Sequence, residues 1–544
     1  MKNLRKRTSV SAGAQGASRM AGGGKGLPPG RQSGWLADLR WPAALMFVGF
    51  VIMAMMTVLP EGRGLGVAAP RSRWLSAGGA LSWLARHLGI EGMSSGSLAG
   101  LYVFALVLLF ASYAWALVVA ARSGRETGRA FLLGCAVAFG LLVVFVPPFM
   151  AKDLFNYAAY GRTVAAYGKN PYALAPFRFP GEPVLHFISW KGAVSVYGPF
   201  FNYLAALVET AAGRSAVSAV VGFKLVSLSF FAGSVILTDE LALRVRPGRR
   251  AFIVTAAAWN PLVVLLLVGG GHNDTMMVFF VILGLLMYLT GRPVLGLASV
   301  MLAFLVKSSA ALVMLPMLVL FLRERARWGN RKYWQAAAAL AALGLAFYLP
   351  LWPGKGALFK ILSVGSGYSS GSVPRFFAGQ LAGALRLFGF HAGTADTVAH
   401  QGISGLFTAI FVVVLVALSL RVRDFRSLLR NVALISIAFV LSASWLMPWY
   451  AGFVVMLVAL SGSYQLTGAA VAVTFVMLWF LPGRWQLPNS ALSLALVVIA
   501  AALAVALYRR AGHRMGSPHG APPGGRRERA EVERGETGVY SWTD

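Results

Sequence analysis

The run LYVFALVLLFASYAWALVVAA, Leu101–Ala121, carries no charged residue along its whole length. Roughly 20 predominantly apolar residues suffice to span the hydrocarbon core of a bilayer as an α-helix. A helix that is apolar on every face belongs in lipid or at the centre of a large bundle. Working outward, the same reading applies to Trp41–Leu59, Phe131–Phe149, Ala216–Leu237, Ala251–Val268, Thr275–Leu289, Val294–Val306 and Ser308–Leu322. It continues through Ala336–Leu349, Gly405–Leu420, Val432–Met447, Trp449–Leu460, Leu466–Leu481 and Ala491–Leu507. Hydrophobic residues make up 58% of the 544 and charged residues only 12%, which excludes a large water-soluble helical protein. The expected fold class is all-α: a polytopic transmembrane helical bundle of about fourteen spans.

A net charge of +31 invites a nucleic-acid reading, but the charge is not on one surface. Most Lys and Arg fall in the tails and in the loops Arg122–Arg129, Arg244–Arg250, Arg323–Lys332 and Arg421–Arg430. Such loops stay in the cytoplasm by the positive-inside rule, where they touch anionic membrane lipid. No nucleic acid is expected as a partner. Residues 1–40 and 509–544 read as disordered cytoplasmic tails around a membrane domain, 41–508. No small-x-small cleavage site follows Trp41–Leu59, so it reads as a retained first span. The one cysteine, Cys135, lies in an apolar run and reads as a packing residue.

This path leaves three long outward segments: Pro60–Gly100, Met150–Ser215 and Pro350 to about Ser404. The second contains Phe200–Ala212, which reads as an interfacial helix. Val294–Val306 and Ser308–Leu322 form a hairpin of half-length helices, or one bent excursion, with Lys307 at its tip. Such short helices need protein or a water-filled cavity over their ends.

Only 18 acidic residues are present, and they act as a filter. Those on the outer side are Glu61, Glu91, Asp153, Glu182, Glu209, Asp274 and Asp396. Only Asp153 and Asp274 stand at the end of a span inside a polar motif, where an ionisable group is a functional candidate. In Asp153-Leu-Phe-Asn-Tyr-Ala-Ala-Tyr-Gly-Arg162, helical spacing puts Asp153, Asn156, Tyr157 and Tyr160 on one face. That face offers one base and several hydrogen-bonding groups to a polar ligand; a wet helix start is the plainer alternative. In Gly269-Gly-Gly-His272-Asn273-Asp274, the glycines allow a tight turn whose amides suit a phosphate or a sugar hydroxyl. A loop cap between spans is the alternative there. Ser195-Val-Tyr197-Gly-Pro199 reads as a turn. Lys307 and Arg375 suit an anionic phosphate. Trp445, Trp449 and Tyr450 read either as an interfacial belt or as rings that stack on a sugar.

Together, DLFNYAAYGR followed by Gly168-Lys-Asn-Pro-Tyr172, SVYGP, Trp259-Asn-Pro-Leu-Val263 and GGGHND resemble the bacterial polyprenol-phosphate-mannose-dependent alpha-1,6-mannosyltransferases. These are membrane-embedded glycosyltransferases of the GT-C type. The likeness is carried by roughly Phe131–Leu322; elsewhere only hydropathy agrees. It implies a polyprenyl-phosphate sugar donor, a glycan or glycolipid acceptor, and transfer of a hexose on the extracytoplasmic face. It implies Asp153 as general base in an inverting displacement. Lys307, Arg375, His272 and Arg162 would meet the leaving phosphate. Asn156, Tyr157, Tyr160, Asn273, Asp274 and Tyr197 would bind sugar or acceptor. Many relatives carry two adjacent acids in this loop, whereas Lys152 precedes Asp153 here, which favours a reaction without a metal or other cofactor. A divalent cation between Asp153 and Asp274 is the alternative, although two carboxylates are a thin set for Mg²⁺. The first two spans read as an N-terminal addition, and with the last few as scaffold. Two rivals remain: a flippase for lipid-linked saccharide, and an O-antigen ligase or polymerase using Arg375, Arg386, His391 and His400.

Overall fold

A computed structural model of the chain describes residues 38–60, 62–70, 72–123, 128–354 and 371–481, with a few positions between 491 and 502. The expected tails lie outside these residues, apart from 38–40, as does most of Ala491–Leu507. The described chain is all-helical, and its sole strand-like feature is one isolated antiparallel bridge, Gly66 to Phe149. Five helices are long and apolar enough to cross a membrane: α1 (Arg40–Thr57), α3 (Ser95–Ser123), α7 (Ala216–Val245), α14 (Ala392–Leu420) and α15 (Phe425–Ser442). Shorter apolar helices accompany them: α4 (Arg129–Val144), α9 (Asp274–Leu289), α10 (Pro293–Val306), α11 (Ala311–Arg323), α16 (Tyr450–Ala459) and α17 (Tyr464–Phe480). The remaining helices are α2 (Ala80–His87), α5 (Asp153–Ala165), α6 (Pro199–Ala212), α8 (Arg250–Ala258), α12 (Arg325–Tyr348) and α13 (Val373–Leu387).

Several boundaries differ from the hydropathy reading, each for a local reason. The run Phe131–Phe149 stops being helical at Val144, because Pro147 and Pro148 push the residues before them out of the α region. Ala251–Val268 is not one helix. It breaks at Trp259-Asn260-Pro261 and resumes as a π-helical turn, Val263–Val268. Asn260 makes the break tolerable: its Oδ1 accepts from the Leu262 and Val263 amides, and its Nδ2 donates to Thr474 Oγ1 at 3.0 Å. Residues 250–278 are buried without interruption, so this apolar run forms the centre of the bundle. The third outer segment is not a loop at its end. Helix α14 begins at Ala392, not Gly405, and packs on α13. Helix α7 runs on past Leu237 because Asp239 is neutralised, at 2.9 Å by Arg129 and at 2.6 Å by Arg250.

The bundle has two chemically distinct ends. At one, Arg129, Arg250 and Asp239 cluster, Tyr288 donates to Glu324 at 2.7 Å, and Arg323 donates to the Leu420 and Val422 carbonyls. The basic loops gather there. At the other end Asp274, at the start of α9, meets Lys307, at the end of α10. Asp274 at the start of α9 meets Lys307, and Tyr288 near its end meets Glu324, the residue that follows α11, so α10 and α11 form a hairpin with Lys307 at its tip. Lys307 itself is extended (φ −155°), and one 3-10 turn, Ser308–Ala310, restarts the helix. Lys224, buried in α7, donates to the Val143 and Val146 carbonyls and so closes the open end of α4 just before Asp153.

The N-terminal helices are built into this end. The Val67 amide donates to the Pro148 carbonyl at 3.1 Å, and the Met150 amide to the Leu65 carbonyl at 3.1 Å. The segment after α1 therefore braces the strand-like run that leads into Asp153.

Candidate active site

Asp153 and Asp274 are each the first residue of a helix, α5 and α9. A helix N-terminus carries partial positive charge, which stabilises a carboxylate there. The turn that joins them spatially is Gly269–Asn273. Gly271 has φ +67°, and a Cβ at this position would lie 2.7 Å from Leu154 Cδ1. Only glycine lets this turn press against the first turn of α5. The approach brings His272 Nδ1 to 3.9 Å from Asp153 Oδ2 and 3.4 Å from the Tyr157 hydroxyl. The same hydroxyl lies 3.4 Å from Asn273 Oδ1.

The glycine amides are not available to a phosphate, as the sequence suggested. Those of Gly269, Gly270, Gly271 and His272 donate to the Val264, Leu266, Val268 and Leu267 carbonyls. The turn is a wall that sets His272, and its polar reach is through side chains.

Asp274 also differs from expectation. Both of its oxygens lie 2.8 Å from Lys307 Nζ, in a pair whose carboxylate is fully buried. It is therefore committed to orienting Lys307 and does not present a free carboxylate to a sugar. An ammonium has three N–H groups, so one remains for a ligand. Asp153 is the more accessible acid, with 15% of its side chain exposed. Burial pushes its carboxyl up to about 7, opposed by the Lys307 charge and reinforced by Asp274. Burial, aided by the Lys307 charge, holds the His272 imidazole well below its ordinary value, so it acts as a neutral N–H group.

Tyr157 is packed edge-on against Tyr197 and Phe201, both 4.8 Å away between ring centres. Tyr160 donates to the Ala193 carbonyl at 3.0 Å, so it ties down the loop ahead of Tyr197. Asn156 is fully buried, and among the described residues neither of its amide atoms has a partner. The SVYGP turn docks on the end of α10: the Gly198 amide donates to the Val306 carbonyl at 2.9 Å. A Cβ on Gly198 would meet the Leu305 carbonyl oxygen at 2.0 Å. Gly198→Ala is expected to destabilise the fold by about 1–3 kcal/mol for forced overpacking, seen as a lower unfolding midpoint, and to shift Tyr197 and Lys307 apart. A thermal-unfolding series in detergent checks this; an unchanged midpoint contradicts the contact.

Two expected phosphate ligands are not among these contacts. Arg162 is buried in an ion pair with Glu182, is 4.0 Å from Glu209 and donates to the Gly213 carbonyl. It fastens the outer segment to the start of α7. Arg375 sits exposed in the first turn of α13, whose N-cap is Ser372. Of the residues of the ligase rival, Arg386 pairs with Asp396 at 2.6 Å across the α13–α14 hairpin. The structure brings together Asp153, Tyr157, His272, Asn273, Asp274 and Lys307. It adds Trp449, stacked on His272, and Tyr450, whose ring lies under Lys307; the sequence offered both only as belt or sugar-stacking rings.

Residues 46–324 match the family model described as alpha-(1->6)-mannopyranosyltransferase, N-terminal domain. The chain belongs to this family. The mannosyltransferase family domain takes in all of the site up to Lys307. It also begins inside α1, so the first spans are part of the domain and not an addition to it. Alpha-(1->6)-mannopyranosyltransferase A of Mycobacterium tuberculosis is 28% identical over 391 residues, 65% of this chain and 72% of the relative. The protein of the same name from Corynebacterium glutamicum is 26% identical over 176 residues, 32% of this chain and 35% of the relative. No solved structure matches the chain. As a mannosyltransferase the protein is an enzyme, and its apolar helices make it a membrane protein.

Proposed function

We propose that this mannosyltransferase moves a mannosyl residue from a polyprenyl-monophosphate donor to a glycan or glycolipid acceptor, on the extracytoplasmic face, forming an alpha-1,6 linkage. It does so within a GT-C bundle of about fourteen crossings with both termini cytoplasmic. The observation that carries the reading is the convergence of Asp153 and the Lys307–Asp274 pair about His272, at the bundle end opposite the basic loops. Basic loops favour the cytoplasmic side by the positive-inside rule, which supports the extracytoplasmic reading of this cluster.

The proposed step is a single displacement. Asp153 accepts the proton of the acceptor hydroxyl, whose oxygen attacks the anomeric carbon as the bond to phosphate breaks. A beta-linked donor then gives an alpha product with one base and no covalent enzyme intermediate. The free N–H of Lys307 and the neutral His272 stabilise charge on the departing polyprenyl phosphate. Asn156 and Asn273, whose buried amides keep atoms without a partner among the described residues, supply hydrogen bonds to sugar hydroxyls. The chemistry uses no metal.

The test is transfer of label from polyprenyl-phosphate mannose into lipid or glycan by membranes carrying the protein. If no donor is consumed but lipid-linked sugar crosses vesicles, the protein is a flippase and the proposal falls. A pH series gives a sharper check. The base acts as the carboxylate, and the Asp153 carboxyl stands at about 7. Transfer is expected to fall by roughly tenfold per pH unit below that value and to level off above it. A rate that is flat from roughly pH 5 to 8, about two units below the Asp153 value and about one above it, removes Asp153 from the step.

A further inference from the structure

Trp449 and Tyr450 lie 125 residues or more beyond the end of the family-model match at residue 324. They sit where the link from α15 to α16 turns into α16. The turn is tight: the amides of Tyr450, Ala451 and Gly452 donate to the carbonyls of Met447, Pro448 and Trp449. The Trp449 indole stacks on the His272 imidazole, with ring centres 4.4 Å apart and planes 27° apart. The Tyr450 ring lies under Lys307, with Nζ 4.7 Å from its centre. The two rings stand at 86° to each other, so adjacent residues serve two different partners.

An interfacial aromatic belt faces headgroups from the outside of a bundle. These rings face inward. Both are half-buried, and all of Ala451–Gly462 behind them is buried. Phe439 and Phe453 hold Tyr450 from the other side, with ring centres 6.0 and 6.1 Å away.

We infer that Trp449 and Tyr450 are a positioning pair that fixes the His272 imidazole and the Lys307 ammonium, so that the C-terminal half of the chain completes the active centre. The inference rests on the proposed role of that centre. Stacking sets the tilt of the imidazole, and hence where its two ring nitrogens, one N–H and one acceptor, point relative to Asp153. The Tyr450 face lies against the same ammonium that Asp274 holds, which limits the directions open to its free N–H. A misplacement of about 1 Å in such groups costs on the order of 10²-fold.

The experiment uses the full chain in membranes, with labelled polyprenyl-phosphate mannose as donor. Trp449→Phe and Tyr450→Phe keep a ring at each site. Trp449→Leu, Trp449→Met, Tyr450→Leu and Tyr450→Met keep apolar volume but no ring; methionine adapts where leucine does not pack. The Phe variants are expected to stay within about threefold of the parent, and the aliphatic ones to lose roughly tenfold or more. The Trp449 loss is expected in kcat, and the Tyr450 loss mainly in donor KM. Equal rates for the ring and aliphatic variants overturn the inference, whether both match the parent or both are lost. Asp153→Asn runs alongside. If it is inactive while the aliphatic variants match the parent, only the pairing fails. If it keeps the parent rate, the centre itself is misassigned.

Discussion

Asp153→Asn is expected to lower mannosyl transfer by about 10²–10⁴-fold, the usual contribution of a general base. The amide has the shape of the carboxylate but cannot take the acceptor proton. The variant should fold like the parent, because Asp153 is partly exposed and its nearest basic neighbour, His272 at 3.9 Å, is neutral. Donor binding should persist, since the phosphate contacts proposed above lie on Lys307 and His272. The measurement is initial transfer rate alongside the thermal midpoint of the purified protein. A folded Asn variant that transfers at the parent rate excludes Asp153 as the base.

The second large effect concerns Lys307 and Asp274. Lys307→Met leaves a fully buried carboxylate without its partner, which costs about 3–5 kcal/mol when a buried pair is broken. Replacing both members with apolar residues removes that penalty and is commonly neutral or stabilising. Lys307→Met is therefore expected to be both unstable and inactive. Lys307→Met with Asp274→Leu is expected to recover the melting temperature and to remain inactive. Stability and activity then separate in one pair of variants. A stable double variant with parent-like transfer would show that the pair serves folding alone.

Much of this centre was legible in the sequence. Few acids survive in so apolar a chain, and the two that close spans within polar motifs are the two that converge. Lys307 was legible because a charge between two short apolar runs has to sit at a tip. What was not legible is which groups are already engaged. Arg162 is one helical face away from Asp153 in sequence, yet Glu182 and Glu209, from distant parts of the outer segment, claim its guanidinium. The triple glycine offers amides on paper, but the preceding π-helical turn reaches forward and uses them. Helix α14 starts well ahead of its apolar run, because a polar first third does not stop a helix that continues into an apolar one. Hydropathy reports the lipid environment; it does not report backbone hydrogen bonding. Trp449 and Tyr450 were visible only as aromatic residues near a proline. Their partners His272 and Lys307 lie more than a hundred residues earlier, and no local pattern connects them.

The stacking of Trp449 on His272 also bears on how the enzyme is made. Asp153, His272 and Lys307 leave the ribosome well before Trp449 does. At about 5–20 residues per second, the interval from Asp153 to Trp449 is on the order of fifteen seconds to a minute. During that time the early helices have entered the membrane and can brace one another through the Leu65–Met150 contact, but the imidazole has nothing to lie against. If Trp449 positions the imidazole as inferred, activity arrives late in synthesis, and a chain cut short before α16 leaves the His272–Lys307 cluster without the two rings it packs against.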